Sequence, residues 1–193
     1  FNYGLEYQAA YRSRNNGVCV CQNITDEAGN TFFPWKLHTM KNGLRVGIVG
    51  IVTDYVNIWE KEENLKGIHI TDPFEAAKNA LAQMKEQTDL TICIYHGGFE
   101  CDLESGETLS QTTENVGYRI CKELDFDILL TGHQHMSVTG RDISGTYTVQ
   151  PCDNAKEYQY LEVTMTDHEK SIRSELRQSD AAKGTVLADK YRS

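Results

Sequence analysis

Residues 44–52 read LRVGIVGIV, a nearly continuous apolar run that is rich in β-branched side chains. Such a run predicts a strand that is buried on both faces of a sheet. Similar runs follow downstream, with DLTICIY over residues 89–95 and FDILL over residues 126–130. Three strands of this kind indicate a sheet whose two faces are both covered by other elements.

Helices are predicted in the two intervals between these strands. The sequence Thr71-Asp72-Pro73 offers a capping side chain and a proline for the first turn, and apolar residues then recur at helical spacing. A second helix is predicted over about residues 114–124. Alternation of strands and helices implies parallel pairing through helical crossovers. The predicted fold class is therefore α/β, with a layered parallel-rich sheet and flanking helices.

The remainder of the chain is less regular. Residues 147–149 and 158–165 alternate between polar and apolar side chains, which predicts a closing antiparallel pair of strands. From Asp167 onward the sequence is charged, and we predict a helix near residues 171–178.

Composition excludes several classes of partner. The chain has 193 residues and a formal net charge of -9, with a pI near 5.1, which argues against binding to a nucleic-acid polymer or to anionic lipid. Its sequence contains no apolar run near the ~20 residues that span a bilayer. An acidic surface repels phosphate compounds, so a phosphate site would need local positive charge, which bound metal ions supply.

Three histidines follow predicted strands directly. His96 comes after the second strand, in Tyr95-His96-Gly97-Gly98, and His133 and His135 come after the third, in Gly132-His133-Gln134-His135. Ligands of open α/β sheets collect at the carboxyl ends of the strands, so these imidazoles are expected to converge. The adjacent glycines would let the backbone turn sharply and approach a ligand closely.

Neutral imidazole binds zinc, manganese and iron, so the pattern predicts a metal site. The alternative is that each histidine is a surface or core residue with an ordinary hydrogen bond. That alternative usually holds for one isolated histidine, whereas three at neighbouring strand ends favour the metal site.

Motifs of other hydrolases were not found. The sequence has neither a Gly-x-Ser-x-Gly elbow nor a phosphate-binding Gly-x-x-x-x-Gly-Lys-Ser/Thr loop.

These motifs resemble those of the calcineurin-like metallophosphoesterases, in the branch of bacterial 5′-nucleotidases and 2′,3′-cyclic-nucleotide 2′-phosphodiesterases. Gly132-His133-Gln134-His135 matches the family's Gly-His-x-His signature, and His96-Gly97-Gly98 stands in place of its His-Ser/Gly-Gly signature. Residues 1–5 resemble the end of a Gly-Asn-His-Glu-Phe-Asn-Tyr-Gly segment. Further matches are Ile58-Trp59-Glu60-Lys61, Asn64-Leu65 and Thr71-Asp72-Pro73.

The resemblance implies two-metal hydrolysis of nucleotide or other phosphoesters. By position, His96 and His133 would bind the second of two divalent metal ions (Mn, Zn, Fe or similar), and His135 the first. Asn2 falls where many 5′-nucleotidases have an Asp that orients a catalytic His, so Asn2 is a candidate catalytic residue. Residues 1–166 would be the C-terminal part of a catalytic domain with the family's four-layer fold. Residues 167–193 would be a charged tail or linker toward a further domain.

Other features of the resemblance leave alternatives open. In the family an Asp-x-His, a bridging Asp and an Asn-His all precede the position of Phe1, so a missing N-terminal half would complete the site. The isolated polypeptide is then expected to be inactive. It could instead be a non-catalytic α/β module, or a half-site complemented by a separate chain.

The resemblance favours a location outside the cytoplasm, while six cysteines, predicted to be mostly free thiols, favour a reducing compartment.

Overall fold

The structure is a computed structural model that describes residues 4–14, 17–166 and 170–179. Its helices are α1 (Gly4–Arg14), α2 (Val56–Trp59), α3 (Pro73–Met84) and α4 (Gly117–Glu123), with a 3₁₀ turn at Glu62–Leu65. Its strands are β1 (Cys21–Thr25), β2 (Thr31–Phe33), β3 (Lys36–Thr39), β4 (Arg45–Val52), β5 (His69–Ile70), β6 (Leu90–His96), β7 (Ile128–Thr131), β8 (Val138–Ile143), β9 (Thr146–Gln150), β10 (Glu157–Met165) and β11 (Lys170–Gln178).

The main sheet contains six strands in the order β3-β4-β6-β7-β9-β8. The pairs β4–β6, β6–β7 and β7–β9 are parallel, and the edge strands β3 and β8 are antiparallel to their neighbours. The predicted α/β class with a parallel-rich sheet and flanking helices is therefore confirmed. The parallel register places Val52 beside His96 and Tyr95 beside Thr131, so the carboxyl ends of β4, β6 and β7 meet at one edge.

Helix α3 covers one face of this sheet, as its apolar spacing predicts. The Asp72 side chain accepts a hydrogen bond from the N–H of Glu75 at 3.0 Å, which caps the first turn. The side chains of Phe74, Leu81 and Met84 are buried in the largest core cluster. Each fully buried apolar side chain of this size contributes about 1.5–3 kcal/mol, so packing rather than helix propensity holds α3 in place.

The opposite face is covered by the hairpin of β10 and β11. The predicted pairing of residues 147–149 with 158–165 and the predicted helix near residues 171–178 are both wrong. Strand β9 pairs with β7 and β8, whereas β10 pairs with β11 over nine residues on each strand, so residues 147–149 and 158–165 do not pair together. Residues 171–178 belong to β11 and are not helical. Ile172 packs with Leu161 and Val163 against the main sheet, and this burial favours the strand.

The domain boundary predicted at residue 166 falls in the connection of this hairpin, between β10 and β11. Residues 170–179 are therefore part of the folded structure. The role of residues 167–193 as a linker toward a further domain stays a prediction.

A small sheet of β2, β1 and β5 fixes the end of β4 through one buried side chain. Asn23, in β1, is fully buried, and its amide donates to the carbonyls of Val52 (2.7 Å) and Thr71 (2.9 Å). Its Oδ1 accepts from the N–H of Val52 at 2.9 Å. The strand end beside His96 is thus held by hydrogen bonds on both sides, since Val52 also lies next to His96 in the sheet.

All six cysteines are free, which confirms the prediction that most are thiols. In the described part of the chain, no helix has the length and apolar character that a bilayer crossing requires.

Candidate metal site

Two of the three predicted ligands meet at the carboxyl edge of the sheet. His96 is the last residue of β6, and His133 lies in the loop that follows β7. Their ring centroids are 5.4 Å apart, with the rings inclined at 60°. Parallel neighbouring strands that end at one level bring the rings together, although 37 positions separate them in the sequence.

His135 is less closely associated with this pair. Its side chain is exposed, and its charge contributes to the lowered pKa of His96. Among residues 4–14, 17–166 and 170–179, no group of three His, Cys, Asp or Glu side chains is placed to hold a metal ion. The described residues thus present a pair of imidazoles with a third nearby, and the ligand roles of all three stay predictions.

The environment of His96 favours its neutral form. Loss of hydration around the ring lowers the pKa of His96 below its usual value, and the neighbouring His133 and His135 lower it further. A neutral imidazole keeps a lone pair on one nitrogen, which is the form that binds metal ions. The donor set therefore suits zinc, manganese or iron, although two imidazoles alone are too few ligands for a closed site.

His133 is held on three sides. Its Nε2 lies 2.9 Å from Oε1 of Glu114, and the indole of Trp59 stacks on the ring with centroids 5.2 Å apart and an interplanar angle of 28°. His96 occupies the third side. Trp59 lies in the segment Ile58-Trp59-Glu60-Lys61 that the family resemblance singled out, whereas sequence patterns give no signal for Glu114.

A cavity of about 480 Å³ opens beside the imidazole pair. Its lining joins both rings to the ends of β4 and α2 and comprises Val52, Thr53, Val56, Trp59, Glu60, His96 and His133. Its wall is therefore mixed, with two imidazoles facing apolar side chains and one carboxylate.

The loop that carries His133 and His135 has a strained backbone. Both residues have positive φ angles, 70° and 56°, which cost of order 1–3 kcal/mol each in residues other than glycine. Gln134, which lies between them, is bound at two points to Phe99. Its Oε1 accepts from the N–H of Phe99 at 2.8 Å, and its Nε2 donates to the Phe99 carbonyl at 2.9 Å. This pairing fastens the loop after β7 to the loop after β6 and compensates for the strain.

The glycines beside the histidines are needed for close packing. A Cβ on Gly97 would lie 2.0 Å from the ring of Tyr95, and a Cβ on Gly98 would lie 2.0 Å from Oε1 of Gln134. Neither Gly97 nor Gly98 has a positive φ angle. The chain does bend at Gly97, directly after β6, as expected, but glycine is needed at these two positions because of the space taken by neighbouring side chains.

The candidate catalytic residue Asn2 lies outside the described residues. Its proposed role in orienting a catalytic histidine stays a prediction.

Comparison with known proteins identifies several similar sequences and folds. No protein-family model matches the chain. A Salmonella typhimurium 2′,3′-cyclic-nucleotide 2′-phosphodiesterase/3′-nucleotidase is 28% identical over 156 residues, which are 75% of this chain and 23% of that protein. The structure of a candidate 5′-nucleotidase from Staphylococcus aureus matches with a TM-score of 0.87 and 30% identity, over 98% of this chain and 38% of that one. The calcineurin-like phosphoesterase YfkN of Bacillus subtilis shares the fold, with a TM-score of 0.76 and 21% identity over 92% of this chain and 60% of that one.

These matches confirm the resemblance that the histidine motifs predict. The chain spans only 23% and 38% of the lengths of the first two proteins.

Proposed function

We propose that this chain, which resembles the calcineurin-like phosphoesterases of the nucleotidase and cyclic-nucleotide phosphodiesterase type, forms the C-terminal part of a catalytic domain that hydrolyses nucleotide phosphoesters. The observation that carries the proposal is the His96–His133 pair, which lies at the carboxyl edge of a parallel sheet within sequence motifs that match that family. The names of the relatives support nucleotides as the substrate class.

In this proposal, His96 and His133 hold one divalent ion and His135 holds a second, as the resemblance implies. When bound, a pair of divalent ions supplies positive charge to the phosphate oxygens and lowers the pKa of a coordinated water. The remaining contributions come from the chain's own residues.

The imidazoles bind by donating lone pairs, and a lowered pKa keeps His96 in the donating form at neutral pH. Val52, Val56 and Trp59 line the cavity beside them, so one side of the site is apolar. Such a wall strengthens electrostatic interactions with a phosphate group. This local effect matters because the net charge of the chain is -9 and would otherwise repel an anionic substrate.

We further propose that the remaining metal ligands come from polypeptide that precedes Phe1 in a longer protein. Support comes from the relatives, which are much longer than this chain, and from the resemblance, which implies further metal-ligand motifs before Phe1. In that setting Asn2 would accept a hydrogen bond from a catalytic histidine but could not stabilise its positive charge, as an Asp would.

Activity of the longer protein tests the proposal. After removal of metals with a chelator and loading with Mn²⁺, it should hydrolyse bis-p-nitrophenyl phosphate, and His96→Ala should reduce the rate at least about 100-fold, in line with the loss of a metal ligand. His69→Ala is the matched control, because His69 is an exposed histidine on β5. Equal inertness of the stripped and Mn²⁺-loaded proteins would contradict the proposal.

A second candidate is that the 193 residues act alone as a non-catalytic α/β module, or as a half-site that a separate chain completes. The resemblance supports this for the isolated polypeptide, since it places the bridging carboxylate and other metal ligands before Phe1. A stable heterodimer with a chain that carries the upstream motifs would identify the half-site. Metal binding no tighter than that of a variant without His96 and His133 would identify the non-catalytic module.

A further inference from the structure

The segment that precedes α4 is fastened to the three parts of the fold that build the histidine pair. The carbonyl of Glu114 accepts from the hydroxyls of Thr53 (2.7 Å), which directly follows β4, and of Tyr95 (3.1 Å), in β6. The Oδ1 of Asn115 accepts from the N–H of Gly98 at 2.7 Å. The backbone of this segment therefore cannot move independently of the strand ends.

The next turn of the segment adds another connection to the same loop. The N–H of Gly117 donates to the carbonyl of Gly98 at 2.9 Å, and a Cβ on Gly117 would lie 2.6 Å from that oxygen. The loop that carries His96-Gly97-Gly98 and the segment 114–117 thus form one hydrogen-bonded unit.

From this fixed backbone, the carboxylate of Glu114 reaches His133. Its Oε1 lies 2.9 Å from Nε2 of His133, and the two side chains are only 32% and 19% exposed, respectively. A carboxylate accepts hydrogen bonds, so this contact favours the ring form in which Nε2 of His133 carries the hydrogen and donates a hydrogen bond to Oε1. In a neutral ring the lone pair is then on Nδ1.

Trp59 restricts the same ring in another direction. Its indole stacks on His133 at 5.2 Å, which holds the plane of the ring, and the contact with Glu114 selects the flip of the ring that places Nε2 beside Oε1. Partners that hold the second nitrogen of a metal-binding histidine commonly set its tautomer and orientation.

We propose that Glu114 is the positioning residue of His133, holding the proton on Nε2 and directing the Nδ1 lone pair to a divalent cation. The cation part rests on the proposed function, whereas the tautomer is a property of the metal-free chain. A purely structural glutamate would hold the loop without determining which ring nitrogen carries the proton.

The tautomer can be measured directly in the metal-free 193-residue chain by long-range ¹H–¹⁵N NMR of the histidine rings at about pH 8, above the ordinary histidine pKa of about 6.5. Neutral His133 should be the Nε2–H tautomer in the wild-type chain. Glu114→Gln keeps an acceptor oxygen and should keep this tautomer, whereas Glu114→Ala should give a mixture. Glu107→Ala, which removes an exposed carboxylate, is the matched control and should leave His133 unchanged. An Nδ1–H tautomer in the wild-type chain would overturn the proposal, even if Glu114→Ala failed to fold.

Binding of Co²⁺ alone, followed by its visible absorption, measures the consequence for the cation. Glu114→Ala should weaken the affinity about 10- to 100-fold, and Glu114→Gln should restore part of it. Unchanged affinity in a folded Glu114→Ala chain would refute the positioning role. If the wild-type chain binds Co²⁺ no better than a chain without His96 and His133, the isolated polypeptide does not form the metal site by itself, and the tautomer still decides the role of Glu114.

Discussion

Single side chains hold the loop after β6, which follows His96, against the loop after β7, which carries His133 and His135. Gln134 is the clearest example, because its amide pairs with both backbone groups of Phe99 while its neighbours His133 and His135 keep positive φ angles. An amide in this position replaces the hydrogen bonds that a neighbouring strand would provide. The strained loop is thus supported by a residue that need not contact a ligand.

Replacement of this residue should therefore cost stability. Gln134→Ala removes two hydrogen bonds and leaves a backbone N–H and carbonyl of Phe99 without their partner, so the free energy of unfolding should fall by about 1–3 kcal/mol. Urea denaturation followed by circular dichroism measures this change. Gln111→Ala, at an exposed position, is the control and should change stability by less than about 0.5 kcal/mol. Equal stability of the two variants would contradict the role assigned to Gln134.

The sequence reveals the ligand candidates at this scale but not their supporting contacts. His96, His133 and His135 are identifiable because each follows an apolar strand run and stands in a short motif. Glu114 is an ordinary charged residue near a predicted helix start, and its contact with His133 spans 19 positions. Such long-range contacts depend on the final packing of the loops, which no local pattern records.

The parallel strands β4, β6 and β7 end at the same edge of the sheet, and this arrangement brings His96 and His133 together. Strands β4 and β6 are also tied together at their starts, where the Asp89 carboxylate accepts from Nε (3.1 Å) and Nη2 (2.6 Å) of Arg45 and from the Arg45 N–H (2.9 Å). The Arg45 side-chain hydrogen bond is the main cause that lowers the pKa of Asp89 to about 2. The pair thereby fixes the register of the two strands at the edge opposite the histidines.

This lowered pKa predicts a pH dependence of stability. A carboxyl that titrates at a lower pH in the folded chain than in the unfolded chain, whose Asp pKa is about 3.9, stabilises the fold above about pH 4. That contribution should be lost as the pH falls from about 4 to about 2. In Asp89→Asn the free energy of unfolding should fall less steeply over this window, and in Arg45→Met the slope should be reduced in part. Urea denaturation at pH 4, 3 and 2 measures the slopes, and identical slopes in all three chains would contradict the assignment.

The spacing of apolar residues identifies some strands and leaves another ambiguous between strand and helix. The runs at residues 44–52, 89–95 and 126–130 are mostly apolar and contain β-branched residues, so their strands could be predicted. In β11, Ile172 and Leu176 are four positions apart, which fits one face of a helix and also one face of a strand. The choice is made by pairing with β10 and by contact of Ile172 with the main sheet, and neither is visible locally.

At the scale of the whole molecule, the fold places one cluster of imidazoles on a chain with a net charge of -9. A two-metal site would bring positive charge to that cluster, which would offset the repulsion between an acidic chain and a phosphate compound. The resemblance to longer phosphoesterases and the His96–His133 pair support the proposal that this chain holds part of a metal site. The central claim is therefore that these two histidines bind a divalent metal ion.

Mn²⁺ titration of the metal-free 193-residue chain by isothermal calorimetry tests this claim most directly. The chain should bind Mn²⁺ at one site, and His96→Ala with His133→Ala should weaken the affinity by more than about tenfold, since both imidazole ligands are lost. His38→Ala with His69→Ala, which removes two exposed histidines on β3 and β5, should bind as the parent chain does. Equal affinity of the two double variants for Mn²⁺ would contradict the account.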